Sequence, residues 1–223
     1  MKQSYDVIII GGGITAASAA EYISKDSQLS AVRCVSTKIT ATSFKAPAYG
    51  CGGSWDNYTR ISHAHGPDGA RDMWRFGNEG YDGLVNFCEE EGIRLSHGQR
   101  FRYLNGPGEA EEAAKAVAQL QAQGFPVTLT KPPWDKADVN SVQTDGPSCL
   151  IPKEPLFARL GEPVPTIKAR VQELKPHKDG VSVALTSGDV LQGQMVILGT
   201  HLSTGELIPE LNEVFISFAD QWE

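Results

Sequence analysis

Tyr5-Asp6-Val7-Ile8-Ile9-Ile10-Gly11-Gly12-Gly13-Ile14-Thr15-Ala16-Ala17-Ser18-Ala19-Ala20-Glu21-Tyr22 is the stretch that decides the fold. Val7 to Ile10 is an unbroken β-branched run, the pattern of a strand buried on both faces. It stops at three glycines. Ile14, Ala17, Ser18 and Tyr22 then recur at helical spacing among good helix formers. Strand, tight glycine turn and helix are the context in which G-x-G-x-x-[GA] binds a dinucleotide. Gly11 permits the turn, and Gly13 carries no Cβ to hold a pyrophosphate away. Ala16 takes the third position, where a small residue lets helix and strand pack closely. The unpaired N–H groups at the helix start, with Ile14 and Thr15 among its first residues, then face the phosphates.

The rest of the chain sets bounds. Its 223 residues suffice for one large domain or two small ones. A formal net charge of -7 disfavours nucleic acid or an anionic membrane as a partner. Asp6 interrupts the N-terminus, so it does not read as a signal peptide. Val7 to Ala20 is too short and too rich in glycine to span a bilayer. The four cysteines, Cys34, Cys51, Cys88 and Cys149, form no C-x-x-C pair. That suits free thiols in a reducing compartment, and a cytoplasmic protein is the expectation.

A second strand is expected over Leu29–Val35. An acidic residue at the end of this strand ordinarily holds an adenosine ribose. Here Ser36 and Thr37 stand there, able to hydrogen-bond a ribose without charge assistance. Thr42, Ser43 and the Gly50–Gly53 stretch suit either a flexible loop or one that wraps a phosphate or a flat ring. His63 and His65 lack a third ligand at metal spacing, so no metal site is expected, and Cys51 reads as an inert thiol. Asp68 caps a helix expected from about Ala70, whose Met73, Trp74, Phe76, Tyr81 and Cys88 stripe reads as core. Gly77, Gly80 and Gly83 are expected to break or kink that helix, and Gly92 ends it. A strand over 100–104, a helix over 109–123 and a proline-rich, loop-dominated 131–165 with short extended pieces near Cys149 to Ile151 follow. From Thr166 the period becomes two. Asp179-Gly180 and Ser187-Gly188 turn the chain into an antiparallel meander. Met195 to Thr200 is a last buried strand ending in glycine.

In this order, the elements resemble the FAD-dependent D-amino-acid oxidase/glycine oxidase-like oxidoreductases. The resemblance covers nearly the whole chain, with the glycine fingerprint its one sharply specific motif. It implies an α/β fold: a Rossmann-like doubly wound sheet with an antiparallel meander and a partial second β-rich lobe. Residues 1–91 and 166–223 would form the FAD-binding domain and 92–165 the partial substrate or cap lobe. Gly11, Gly13 and Ala16 would bind the FAD pyrophosphate, with Thr42 and Ser43 also reaching it. The Val171 backbone would meet the adenine, and Gly199 and Thr200 would lie near the flavin. The implied reaction is hydride transfer from an amine- or hydroxyl-bearing carbon to flavin. No arginine among Arg60, Arg71, Arg75, Arg100 and Arg102 is singled out for a substrate carboxylate, and no catalytic base is named. Three departures stand out: Ser36 replaces the acidic ribose ligand, Leu198-Gly199-Thr200 replaces Ala-Thr-Gly, and the chain is shorter than its family. The shortness implies a partial chain, with a separate C-terminal polypeptide or a homo-oligomer as partner beside a small-molecule substrate. A non-catalytic FAD-binding fragment and an NAD(P)-binding Rossmann protein remain the alternatives.

Overall fold

The computed structural model describes residues 3–37, 41–45, 48–54, 56–103, 107–130 and 142–212. Lys38, the turn expected at 104–106, the first part of the proline-rich stretch (131–141) and the tail from 213 lie outside the described residues. In chain order the elements begin with β1 (Gln3–Ile10), α1 (Ile14–Ser24), β2 (Ala31–Cys34), α2 (Thr42–Lys45) and β3 (Tyr49–Cys51). Then come α3 (Tyr58–Glu90), β4 (Ser96–Tyr103), α4 (Pro107–Ala122), β5 (Thr128–Thr130) and β6 (Val142–Leu150). The chain continues through α5 (Lys153–Arg159), β7 (Thr166–Ile167), β8 (Val171–His177), β9 (Gly180–Leu185) and β10 (Val190–Leu198). Short 3-10 turns at His201–Ser203 and Pro209–Leu211 flank α6 (Thr204–Leu207).

Two compact units divide these elements: 1–47 with 153–223, and 48–152. The ranges expected from sequence, 1–91 with 166–223 and 92–165, cut elsewhere. Helix α5 belongs with the first unit, where Phe157 stacks on Phe44 at 4.2 Å and Lys153 donates to the Phe44 carbonyl. Helix α3 belongs with the second, where its apolar side packs on α4.

The first unit is built on a six-stranded sheet in the order β7-β2-β1-β10-β9-β8. Strands β7, β2, β1 and β10 run parallel, and β9 and β8 continue as an antiparallel meander. Val7–Ile10 and Met195–Leu198 are direct neighbours, with Val7 opposite Met195 and Ile10 opposite Leu198. The β1 run lacks polar residues because both its faces are covered. Ile8 and Ile10 pack with Val32, Cys34, Val183, Leu185 and Leu191, while Val7 and Ile9 pack with Ala16, Ala20 and Val164. Burial of each such branched side chain contributes roughly 1.5–3 kcal/mol. Helix α1 presents Ala16, Ala17 and Ala20 to the sheet, and Tyr22 is 80% exposed. The helical spacing of Tyr22 misread its side: alanines, having no bulk, let the helix lie closest to the strand.

The second unit is an antiparallel sheet, β3-β6-β4 with β5 also on β6, together with α3 and α4. Tyr58, Ile61, Ala70 and Trp74 of α3 meet Ala116, Val117 and Leu120 of α4. Helix α3 starts at Tyr58, well before the expected start near Ala70. Asn57 caps it by accepting from the Thr59 N–H. Gly66 (φ 73°) and Pro67 break it in two, so Asp68 lies in the first turn of the second segment. Gly77, Gly80 and Gly83 do not interrupt it. Trp74, Tyr81 and Cys88 are core as expected, whereas Met73 and Phe76 are exposed. Gly92 (φ 67°) closes it: its N–H donates to the Glu89 carbonyl, and the Ile93 N–H to that of Cys88. Part of the stretch expected as loops is ordered structure, namely β6 and α5.

Candidate nucleotide cleft

In the strand order, β1 lies between β2 and β10, so the C-terminal ends of all three converge. Open α/β sheets bind ligands at such a place, outside the carboxyl ends of strands where the connections diverge. A cleft of about 590 Å³ opens there, walled entirely by the first unit.

One wall is the glycine turn. Gly11 has φ 144°, and a Cβ on it would lie 2.4 Å from the Gly199 carbonyl oxygen. Its N–H donates to the Cys34 carbonyl at 3.0 Å, and the Gly199 N–H donates to the Ile10 carbonyl at 2.7 Å. Turn, β2 and β10 are thereby tied into one node. Gly13 is the N-cap of α1 and brings no side-chain cap. The Ile14 N–H instead donates to Ser43 Oγ at 3.1 Å. Gly12, Gly13 and Thr15 line the cleft, and their N–H groups find no acceptor among the described residues. Three donors at a helix N-terminus, left unpaired beside a cavity, fit a diphosphate. Cβ atoms on Gly12 and Gly13 would sit 3.3 Å from Val35 Cγ1 and 3.2 Å from Ser43 Oγ, closing this cradle.

Of the residues singled out from sequence, Gly11, Gly13, Thr15, Ser36, Ser43, Val171, Gly199 and Thr200 line the cleft. Ala16 is buried behind the turn, where a Cβ on Gly199 would meet its Cβ at 2.8 Å. Ile14 contributes its backbone N–H to Ser43. Thr37 is exposed beyond the end of β2, and Thr42 opens α2 beside Ser43.

Sequence reasoning placed Gly199 and Thr200 at the cleft but missed the wall beyond them, from His201 to Leu207. Thr200 and Thr204 share a hydroxyl hydrogen bond of 2.8 Å, and Thr204 also donates to the His201 carbonyl. His201 has φ 52°, the sole non-glycine residue with positive φ among those described. It follows Gly199-Thr200, and nothing in the sequence marks it. Arg170 and Glu206 form an ion pair at the cleft edge. Cys34 lines the cleft with its thiol pushed up to about 11 by burial, so it is no nucleophile. Arg60, Arg71, Arg75, Arg100 and Arg102 all lie in the second unit. No group of three or more His, Cys, Asp or Glu side chains suited to a metal occurs among the described residues. Nor is any helix of the described residues long and apolar enough to cross a membrane.

Comparison with known proteins agrees with this architecture. A family model described as FAD dependent oxidoreductase matches residues 6–142, well over half of the chain. No curated protein sequence matches. Among solved structures, the chain is similar to L-amino acid deaminase from Proteus vulgaris, with TM-score 0.69, 13% identity, and coverage of 95% of this chain and 51% of that one. It is also similar to glycine oxidase from Geobacillus kaustophilus, with TM-score 0.61, 15% identity, and 94% and 59% coverage. L-proline dehydrogenase from P.horikoshii gives TM-score 0.67, 13% identity, and 94% and 56% coverage. At these identities the likeness is one of fold. The chain spans between half and three-fifths of the length of these structures.

Proposed function

The chain belongs to the FAD-dependent oxidoreductase family, and from that premise we propose that its cleft holds FAD for oxidation of a small amine- or hydroxyl-bearing molecule. The observation that carries the reading is the set of unpaired N–H groups of Gly12, Gly13 and Thr15 facing the cleft at the head of α1. Bound FAD would supply the redox chemistry, accepting a hydride from the substrate carbon.

The chain's own residues bind and orient. The three N–H groups donate to the diphosphate, and the α1 dipole favours its negative charge. Ser43 Oγ, by accepting from Ile14, keeps its O–H free to donate to the same group. Thr42 stands beside it. Ser36 meets the ribose as a neutral hydroxyl, with Thr37 next to it. Ala169 and Val171 offer an apolar wall and backbone to the adenine. Gly199 and Thr200, packed on the glycine turn, border the ring end. The second unit is proposed as the substrate or cap lobe. Its substrate is proposed as an amino acid or related small molecule, since the similar structures include an L-amino acid deaminase and a glycine oxidase. Four free cysteines support a cytoplasmic setting.

The test is to purify the chain, release any bound ligand by denaturation and identify it, then titrate the stripped protein with FAD. Yellow protein releasing FAD, or saturable one-to-one FAD binding, is the expected result. Colourless protein that ignores FAD and binds NADPH would overturn the reading. Ser36 favours one second reading, a chain that binds FAD weakly without catalysis. Losing a charged acceptor costs on the order of 1.5–3 kcal/mol, roughly ten- to over a hundredfold in affinity. Peroxide release across an amino-acid panel separates the two.

A further inference from the structure

Arg33 is the oddity of the first unit. It sits in mid β2, between Val32 and Cys34, where both faces of the sheet are covered. It is only 8% exposed. Its Nε donates to the Gly11 carbonyl at 3.1 Å. One nitrogen of the guanidinium lies against Gly161, where a Cβ would come within 2.8 Å of Nη1. No carboxylate pairs with it among the described residues. Burial lowers its pKa, but a guanidinium keeps its proton at any ordinary pH. A buried cation without a counter-ion is costly, and folds retain one where something else supplies the opposite charge.

The side that Arg33 approaches is informative. Val32 and Cys34 face the core cluster and the cleft, so Arg33 points to the α1 face. It reaches the glycine turn from behind. The same turn offers the N–H groups of Gly12 and Gly13 to the open side. A donor on the Gly11 carbonyl holds the peptides of this turn in the orientation that aims those N–H groups outward. The positive charge stands behind them, screened from water by Gly161 and α1.

We propose that Arg33 is a positioning residue of the cleft: it fixes the Gly11 carbonyl and supplies the buried positive charge that the diphosphate of a dinucleotide neutralises. This rests on the reading of the cleft as a dinucleotide site. It adds a second cationic device to the helix dipole, one that offsets the missing carboxylate at Ser36 by tightening the phosphate end.

The experiment compares wild type with Arg33→Gln and Arg33→Lys. Glutamine keeps a donor for the Gly11 carbonyl and drops the charge; lysine keeps the charge. Each is titrated with FAD and with ADP at low and high salt, and the melting temperature of each unliganded protein is measured. Arg33→Gln is expected to lose about tenfold or more in affinity for both ligands while melting no lower than wild type, because it removes an uncompensated charge. Arg33→Lys is expected to recover most of that affinity. A purely structural arginine would behave otherwise: unliganded stability and affinity would fall together, and lysine would rescue neither. That pattern, or Arg33→Gln binding both ligands within twofold of wild type, overturns the inference and leaves the cofactor reading standing. Wild type that binds neither FAD nor ADP overturns the cofactor reading and this inference with it.

Discussion

Gly11→Ala strikes the node on which the cleft is hung. At φ 144° an L side chain is strained, which costs on the order of 1–3 kcal/mol. The new methyl would lie 2.4 Å from the Gly199 carbonyl oxygen, 2.8 Å from its carbon and 3.1 Å from Ala16 Cβ. The first two are backbone atoms just past the end of β10, held by the Gly199 N–H on the Ile10 carbonyl, and cannot rotate away. Overpacking of this kind costs typically 1–3 kcal/mol more. The sum, about 2–6 kcal/mol, is a large share of the 5–15 kcal/mol that holds a typical domain. At roughly 2–4 °C per kcal/mol for a chain of this size, the midpoint should fall by about 4–24 °C. The assay is thermal unfolding by far-ultraviolet circular dichroism, paired with FAD titration below the lowered midpoint. The surviving folded protein should bind FAD more weakly, because the Gly11–Gly199 contact sets the position of the donor turn. A midpoint within 2 °C of wild type would refute the packing argument, and undiminished affinity would refute the link from node to cradle.

Cys34 gives a pH prediction. Burial raises its thiol to about 11, so the folded state holds this proton more tightly than the unfolded chain does. The associated stability, about 3 kcal/mol, is fully present below pH ~8.5, the ordinary thiol value, and is lost as pH rises toward ~11. Chemical denaturation should show this alkaline decline in wild type and a flatter one in Cys34→Val; equal slopes would refute it. In the second unit, Tyr58 is buried and donates to Gln123 Oε1 at 2.7 Å and more weakly to the Pro67 carbonyl. Tyr58→Phe should therefore cost roughly 1–2 kcal/mol in urea unfolding, and no measurable cost would mean that water already serves those acceptors.

The cleft was legible wherever a residue's chemistry and its place at a strand end coincide. Gly11 and Gly13 follow a run that only a doubly covered strand tolerates. Gly199 follows a second apolar run, expected as a buried strand, although Met195 is exposed and Val196 to Leu198 are only half-buried, and Ser43 stands in a small hydroxyl pair. Helix α3 was misread because its first segment offers only Tyr58 and Ile61 as buried apolar residues before Gly66-Pro67. A glycine–proline pair ordinarily reads as a boundary, and here it is a break between two helical segments. Strand β6 was hidden by Gly146 and Pro147, which interrupt its pattern. It survives because β4, β5 and β3 all pair with it, and tertiary pairing overrides weak local propensity. The wall from His201 to Leu207 carries no motif at all. Its hydroxyls matter only because the chain turns back across the strand ends.

Arg33 shows most clearly what a linear reading loses. Between Val32 and Cys34, a charged residue reads as the solvent side of a half-buried strand, the ordinary meaning of period-two alternation. That meaning holds only if one face of the sheet is wet. Strand β2 pairs with β1 and β7, α1 covers one of its faces, and Gly161 closes over the guanidinium. The alternation is therefore between two buried faces, and the polar residue marks a built contact with the Gly11 carbonyl. The topology that makes Arg33 anomalous is the same one that makes the cleft. A strand with parallel neighbours on both sides ends beside two other strand ends, and the turn at its tip must be supported from below and left open above. Glycine supplies the openness, and Arg33 supplies the support.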